Sequence, residues 1–226
     1  MSILQDPKLL ALLDTVIDHY IFKWDPIGSK FLHSLEDVRY APSTLRKYLN
    51  LLEKAEFVYQ PYNSSGRIPT TKWLSHYIDN HMEDEVLSDD SVAMDIDSIR
   101  TDVRHVVESL WNIVDGVVAW FVQHDEYYYL GINNLLREDM QWEYQTTKKI
   151  IEFIEQRGIV TLLDKKTMKR NTVYYTFIED EETTISCLYT KVVVNDYDCI
   201  LSIVGPARVN YKKNVAILKR VLQALQ

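Results

Sequence analysis

The sequence predicts an α+β protein in two parts: a helical head carrying one small β-hairpin, and a larger C-terminal domain built on antiparallel strands. Three observations carry this reading. Helical periodicity punctuated by turn residues fills positions 7–55. A polar, glycine-containing turn between two short β-prone runs follows. From Val117 onward, strand-length apolar runs lie too close together for βαβ crossovers throughout.

The elements follow in order. Asp6-Pro7 offers an N-cap acceptor and a proline at the first helical position, and Leu9, Leu10, Leu13, Val16, Ile17 and Tyr20 continue a helix to about Phe22. Asp25-Pro26-Ile27-Gly28 ends it, and Ser29 is placed to cap a short helix to about Leu35. Pro42 opens a third helix reaching about Ala55. Glu56 to Pro61, then Tyr62-Asn63-Ser64-Ser65-Gly66, then Arg67-Ile68-Pro69 read as strand, turn and strand. Thr70 is placed to cap a fourth helix carrying Trp73, Leu74, Tyr77 and Ile78. This order is the winged helix-turn-helix layout, assigned to residues 1–82. Residues 83–98 read as an acidic linker, and 99–226 as the second domain. That domain opens with a helix over 99–111. Strands are expected at Val117–Val122, Glu126–Gly131, Val173–Ile178, Thr184–Val194 and Ile200–Val204, with helices at Glu143–Gln156 and Lys212–Leu225.

The net charge is −8 but unevenly spread. Residues 1–82 carry nine basic against nine acidic side chains, 83–140 three against fourteen, and 141–226 thirteen against ten. The acidity sits in the middle and does not veto a nucleic-acid-binding head. No run approaches the ~18 apolar residues of a membrane span. The N-terminus lacks a signal-peptide pattern, and Cys187 and Cys199 fit no metal spacing, so a cytoplasmic, non-membrane protein with reduced thiols is expected. The six histidines make no ligand spacing, and no phosphate loop or nucleophile elbow is present. The expectation is a protein that is not an enzyme, with no metal and no cofactor.

The third helix divides cleanly. Leu45, Tyr48, Leu49 and Leu52 form one stripe, while Ser43, Lys47, Asn50 and Lys54 face the opposite way with Arg46 at their flank. A helix that reads DNA needs this division, with one side packed and the other presenting donors. Ser43, Thr44 and Lys47 are expected to reach base edges, and Arg46 and Lys54 phosphates. Ser29, Lys30, Ser64, Ser65, Gly66 and Arg67 complete the expected DNA-binding set, with Arg67 at the hairpin tip suited to the DNA backbone or minor groove.

Several segments resemble one family. Val16 to Ile21, Asp25 to Lys30, Ala41 to Arg46 and Gln60 to Thr70 are similar to the N-terminal domain of HrcA, a heat-inducible repressor. Tyr129-Leu130-Gly131-Ile132-Asn133-Asn134-Leu135-Leu136 and Ser202 to Tyr211, with Gly205, Pro206, Arg208 and Tyr211, are similar to its C-terminal signatures. The resemblance implies a GAF-like C-terminal domain, in a shortened form lacking the family's inserted dimerising domain. It implies repression of chaperone genes at an inverted-repeat operator termed CIRCE, a homodimer, and modulation by the GroEL chaperonin. The reading face departs from the family: Lys30-Phe31 replaces arginine-threonine, Ala41 a capping serine, Lys47 an asparagine and Tyr62 a histidine. Val209-Asn210 replaces methionine-aspartate in the tail. The operator sequence is therefore open.

Without the insert, a dimer would use the second domain, the helix near 99–111 or the head. Trp111, Trp120, Phe121, Tyr127 and Tyr129 stand as interface or core aromatics. Gly205 to Arg208 is either an anion-binding turn or a structural turn, and Lys165-Lys166 with Lys169-Arg170 forms a basic patch. The alternative function is a winged-helix regulator of other genes, answering to a small ligand in the C-terminal domain.

Overall fold

The structure is a computed structural model that describes residues 6–23, 25–82, 103–122, 126–136, 143–162, 168–194 and 197–225. The expected acidic linker, Ile99 to Asp102 and the Lys165-Lys166 pair lie outside the described residues. The chain divides into two compact units, Met1–Glu83 and Asp84–Gln226.

In the first unit, α1 (Pro7–Lys23) buries Leu9, Leu12, Leu13, Val16 and Ile17. Its cap forms as the sequence suggests: Asp6 Oδ1 accepts the Lys8 backbone N–H at 3.0 Å. α2 (Ser29–His33) differs from expectation, because Gly28 is its N-cap residue and makes no side-chain bond, while Ser29 is the first helical residue. The cause lies one residue earlier. Ile27 exchanges two backbone hydrogen bonds with Arg67, at 2.9 and 2.8 Å, which holds the chain extended up to Gly28. α3 (Pro42–Lys54) starts on Ala41 without a side-chain cap. Pro42 softens this, since it has no N–H to leave unsatisfied.

The hairpin pairs β1 (Val58–Tyr59) with β2 (Ile68–Pro69). The Ile27 bridge adds a third short extended segment beside β2. α4 (Thr71–Met82) follows at once. The Thr70 hydroxyl donates to the Glu56 and Phe57 carbonyls at 2.7 and 3.1 Å, so it fastens the hairpin rather than capping the helix. Trp73, Leu74, Tyr77 and Ile78 are buried, and the Tyr77 hydroxyl donates to Asp18 at 2.6 Å, tying α4 to α1.

Among the described residues, the first element of the second unit is α5 (Val103–Leu110). It then builds one fully antiparallel sheet from β3 (Val117–Val122), β4 (Glu126–Leu130), β5 (Val173–Glu179), β6 (Thr184–Val194) and β7 (Tyr197–Pro206). The strand order is β4-β3-β7-β6-β5. On one face Val117, Phe121, Ile200, Val204, Ile185 and Cys187 meet Ile150 and Ile154 of α6 (Tyr144–Glu155) and Ile159 of α7 (Gly158–Leu162). On the other, α8 (Tyr211–Ala224) covers β5 and β6, with the Phe177 and Tyr211 rings 6.3 Å apart.

β7 is longer than the expected Ile200–Val204 because β6 pairs with it along its whole length, Tyr197 to Pro206. Gly205 and Pro206 accordingly belong to this strand and not to a turn. Among the described residues, the sequence reading does not anticipate α7 or a 3-10 segment at Ile132–Leu136. Trp120 and Phe121 are core residues, 1% and 4% exposed, on opposite faces of β3, while Tyr127 and Tyr129 are half-buried against the core that holds Phe121.

Candidate nucleic-acid interface

The head carries an open cleft of about 590 Å³ between the start of α2, one face of α3 and the hairpin loop. It is lined by Ser29, Lys30, Arg46, Asn50, Ser64, Ser65, Gly66 and Arg67 from the expected set. Gly28, Leu49 and Gln60 also line it. No carboxylate does, although acidic and basic side chains balance over residues 1–82. Among the described residues, Lys30 and Arg46 have no acceptor, so two cations face solvent unneutralised. Such an arrangement attracts an extended anion.

The sequence explains the cleft locally. Leu45, Leu49 and Leu52 are buried, which turns Arg46, Lys47, Asn50 and Lys54 outward. Ser43 and Thr44 lie in the first turn of α3, exposed and half-buried. Ser43, Thr44, Lys47 and Lys54 are outside the cleft lining, on the helix that forms its wall.

The hairpin loop has its own scaffold. Ser65 N–H donates to the Tyr62 carbonyl at 3.1 Å, and Ser64 adopts φ 65°. The Ser65 hydroxyl donates to the Tyr62 carbonyl at 2.7 Å, and Gln60 Nε2 to the Ser65 carbonyl at 3.0 Å. Gly66 passes so near the first interhelical loop that a Cβ there would stand 2.4 Å from the Pro26 carbonyl oxygen. Only glycine permits that approach.

Arg67 does not extend from the loop tip. Its Nε donates to Glu53 Oε2 at 3.1 Å, its Nη2 stands 2.8 Å from the same oxygen, and Nη2 donates to Asn50 Oδ1 at 3.2 Å. Sequence reasoning missed Glu53. The signal was available, since Glu53 lies three residues after Asn50 on α3 and so shares its side of the helix.

The C-terminal signature is a closed joint. A Cβ on Gly116 would stand 2.5 Å from the Val204 carbonyl oxygen, and one on Gly205 would stand 3.0 Å from that of Asp115. The Ser186 hydroxyl donates to the Pro206 carbonyl at 2.8 Å, and the Tyr211 hydroxyl to the Ala207 carbonyl. Asn210 caps α8 by accepting the Lys213 N–H at 3.0 Å. Upstream, buried Asn134 donates to the Trp111 and Gly116 carbonyls at 2.5 and 2.9 Å, and Gly131 turns with φ 98°. Arg208 is also engaged.

Burial pushes the Cys187 thiol well up, and a hydrogen bond from Lys149 pulls exposed Asp180 down to about 2. Among the described residues, no group of three histidine, cysteine or carboxylate side chains could hold a metal, and no helix is long and apolar enough to cross a membrane.

The fold and cleft define a class: a two-unit α+β protein whose helix-and-hairpin head holds an open cationic cleft ahead of an antiparallel-sheet domain. The family model for the HrcA protein C terminal domain matches residues 68–215. The chain belongs to the HrcA family. It is 22% identical to the heat-inducible transcription repressor HrcA of Ruminiclostridium cellulolyticum, over 75% of this chain and 47% of that protein. It is 27% identical to the repressor of the same name from Lachnoclostridium phytofermentans, over 77% of this chain and 52% of that protein. The chain spans about half the length of the curated relatives it matches. Its fold is shared with a crystal structure described as that of a hypothetical protein, with TM-score 0.75, 13% identity and 97% of each chain covered.

Proposed function

We propose that the head, residues 1–82, is a winged helix-turn-helix that binds double-stranded DNA, and that the chain represses heat-shock chaperone genes. The observation that carries this is the carboxylate-free cleft, with unpaired Lys30 and Arg46, in a head of balanced charge. Lys30 and Arg46 hold a phosphate strand, assisted by the Ser29 and Ser64 hydroxyls. Ser43, Thr44 and Lys47, on the exposed side of α3, meet base edges in the major groove, and Lys54 adds a phosphate contact near the helix end.

An inverted repeat of the CIRCE type requires a two-fold symmetric protein, so the working form is a homodimer joined outside the DNA-reading surface. The C-terminal domain is GAF-like and regulatory. Family resemblance supports modulation by GroEL, and a chromosomal operator puts the protein in the cytoplasm.

The test is fluorescence anisotropy with a CIRCE-type inverted repeat and a scrambled duplex at several salt concentrations. Preference for the repeat by about 10³-fold, with Lys30→Ala and Arg46→Ala each lowering the salt slope by about one, supports the reading. Equal weak binding to both duplexes removes it. An affinity for the repeat that ignores added GroEL removes the chaperonin part alone.

A further inference from the structure

Resting on the DNA-reading head, we propose that Arg67 is a positioning residue: it latches the hairpin loop to α3 through Glu53 and Asn50 and gives no charge to the DNA.

Its side chain is 13% exposed, and its guanidinium is directed at α3. Glu53 Oε2 receives both Nε and Nη2, and Asn50 Oδ1 takes a second bond from Nη2. Nη1 turns back to the Ser65 carbonyl at 3.4 Å, so one guanidinium joins the loop to the helix. A guanidinium is suited to this because its donors lie in a fixed plane.

The backbone of the same residue is fixed independently, by the two bonds to Ile27. Arg67 therefore ties together the first interhelical loop, the hairpin and α3. Beside these bonds the hairpin is held by a two-residue ladder, by Thr70 at its base and by Gln60 Nε2 at its loop, none of which reaches the side chains of α3. The pair also sets the charge of the cleft. Arg67 is neutralised by Glu53, while Lys30 and Arg46 have no carboxylate partner among the described residues. Lys30 and Arg46 thus supply the attraction, and Arg67 sets where the loop stands against the helix that reads.

The experiment compares full-length wild type, Arg67→Ala, Glu53→Gln, the charge swap Glu53→Arg/Arg67→Glu, and Lys30→Ala. Two readouts are taken: anisotropy with the CIRCE-type duplex across salt, and amide hydrogen exchange of Ile27 and Ser65 in the free protein. Both amides donate within the latched region, to Arg67 and Tyr62 carbonyls. The expected result is that Arg67→Ala weakens binding by about tenfold with the wild-type salt slope, and that Arg67→Ala and Glu53→Gln both speed exchange at both amides. The swap recovers part of each loss. Lys30→Ala lowers the slope by about one and leaves exchange unchanged.

If Arg67→Ala lowers the slope by one and leaves exchange unchanged, Arg67 is a phosphate donor and the latch is overturned. If Arg67→Ala fails to fold, Glu53→Gln, which breaks the latch and keeps Arg67, decides the matter: faster exchange at both amides supports the latch, and unchanged exchange overturns it. If wild type binds neither the repeat nor a scrambled duplex, the DNA reading fails, and the exchange comparison decides the latch by itself.

Discussion

Two motifs of this chain hold their shape by the same device and end in opposite places. In the head, Gly66 lets the hairpin loop pass against Pro26 and Ile27. In the sheet domain, Gly116 and Gly205 let the start of β3 cross the end of β7. Around Gly66 the side chains open onto a cleft with unpaired cations. Around Gly205 they close: Ser186, Tyr211 and Asn210 spend their polar groups on nearby backbone. A sequence signature therefore marks a demanding backbone geometry first. Whether it also marks a site depends on what the neighbouring side chains have left to offer.

The contrast predicts its own largest effect in the closed joint. Gly116→Ala drives a methyl group into the Val204 carbonyl where the chain enters β3, one residue before the Val117–Val204 pair. The expected cost is about 3 kcal/mol, lowering the melting temperature by roughly 6–12 °C. Thermal unfolding followed by circular dichroism measures it. A shift under about 1 °C would mean that the crossing is looser than the geometry states, and the contrast would lose one side.

Gly66→Ala comes next. Its methyl group meets the Pro26 carbonyl at 2.4 Å, and the Ile27–Arg67 bridge is the piece free to give way. A loss of about 2 kcal/mol confined to the head is expected, with weakened DNA binding and unchanged amide protection in the central strand β7. Exchange mapped along the chain separates the two units. Loss of protection in β7 would show that the head does not fail alone.

Much of this was legible in the sequence, and the misses share a cause. Asp6, the periodicity of α1 and the buried stripe of α3 were readable because each depends on residues one helical turn apart. The Ser29 cap was misplaced because Ile27 is held by Arg67, forty residues away. The bonds of Arg67 are not visible in the spacing because its partners, Glu53 and Asn50, come from another element. Trp120 and Phe121 had no visible fate until β3 was known to lie inside the sheet. The cleft residues were mostly found, since polar side chains at a loop tip and on one helix face are local patterns. Their division into free and latched cations is tertiary and could not be read from spacing.

The smallest effect runs in the opposite direction. Asn214 of α8 is fully buried, and among the described residues neither its amide nitrogen nor its oxygen has a hydrogen-bond partner. Asn210, one turn earlier, spends its oxygen on the helix cap, so the two asparagines differ in what they return for their polarity. A buried amide left unpaired costs about 1–3 kcal/mol, and leucine is close to asparagine in shape. Asn214→Leu should therefore stabilise the sheet domain by about 1 kcal/mol, raising its melting temperature by roughly 2–4 °C. DNA affinity at 25 °C should not change, because the cleft belongs to the other unit. The distinction matters for a family of heat-inducible repressors. If stability of this domain limits DNA binding on warming, the variant will hold its duplex to a higher temperature than wild type. A lowered melting temperature would instead mean that the amide is satisfied in solution, and that the closed domain is better matched internally than the open head.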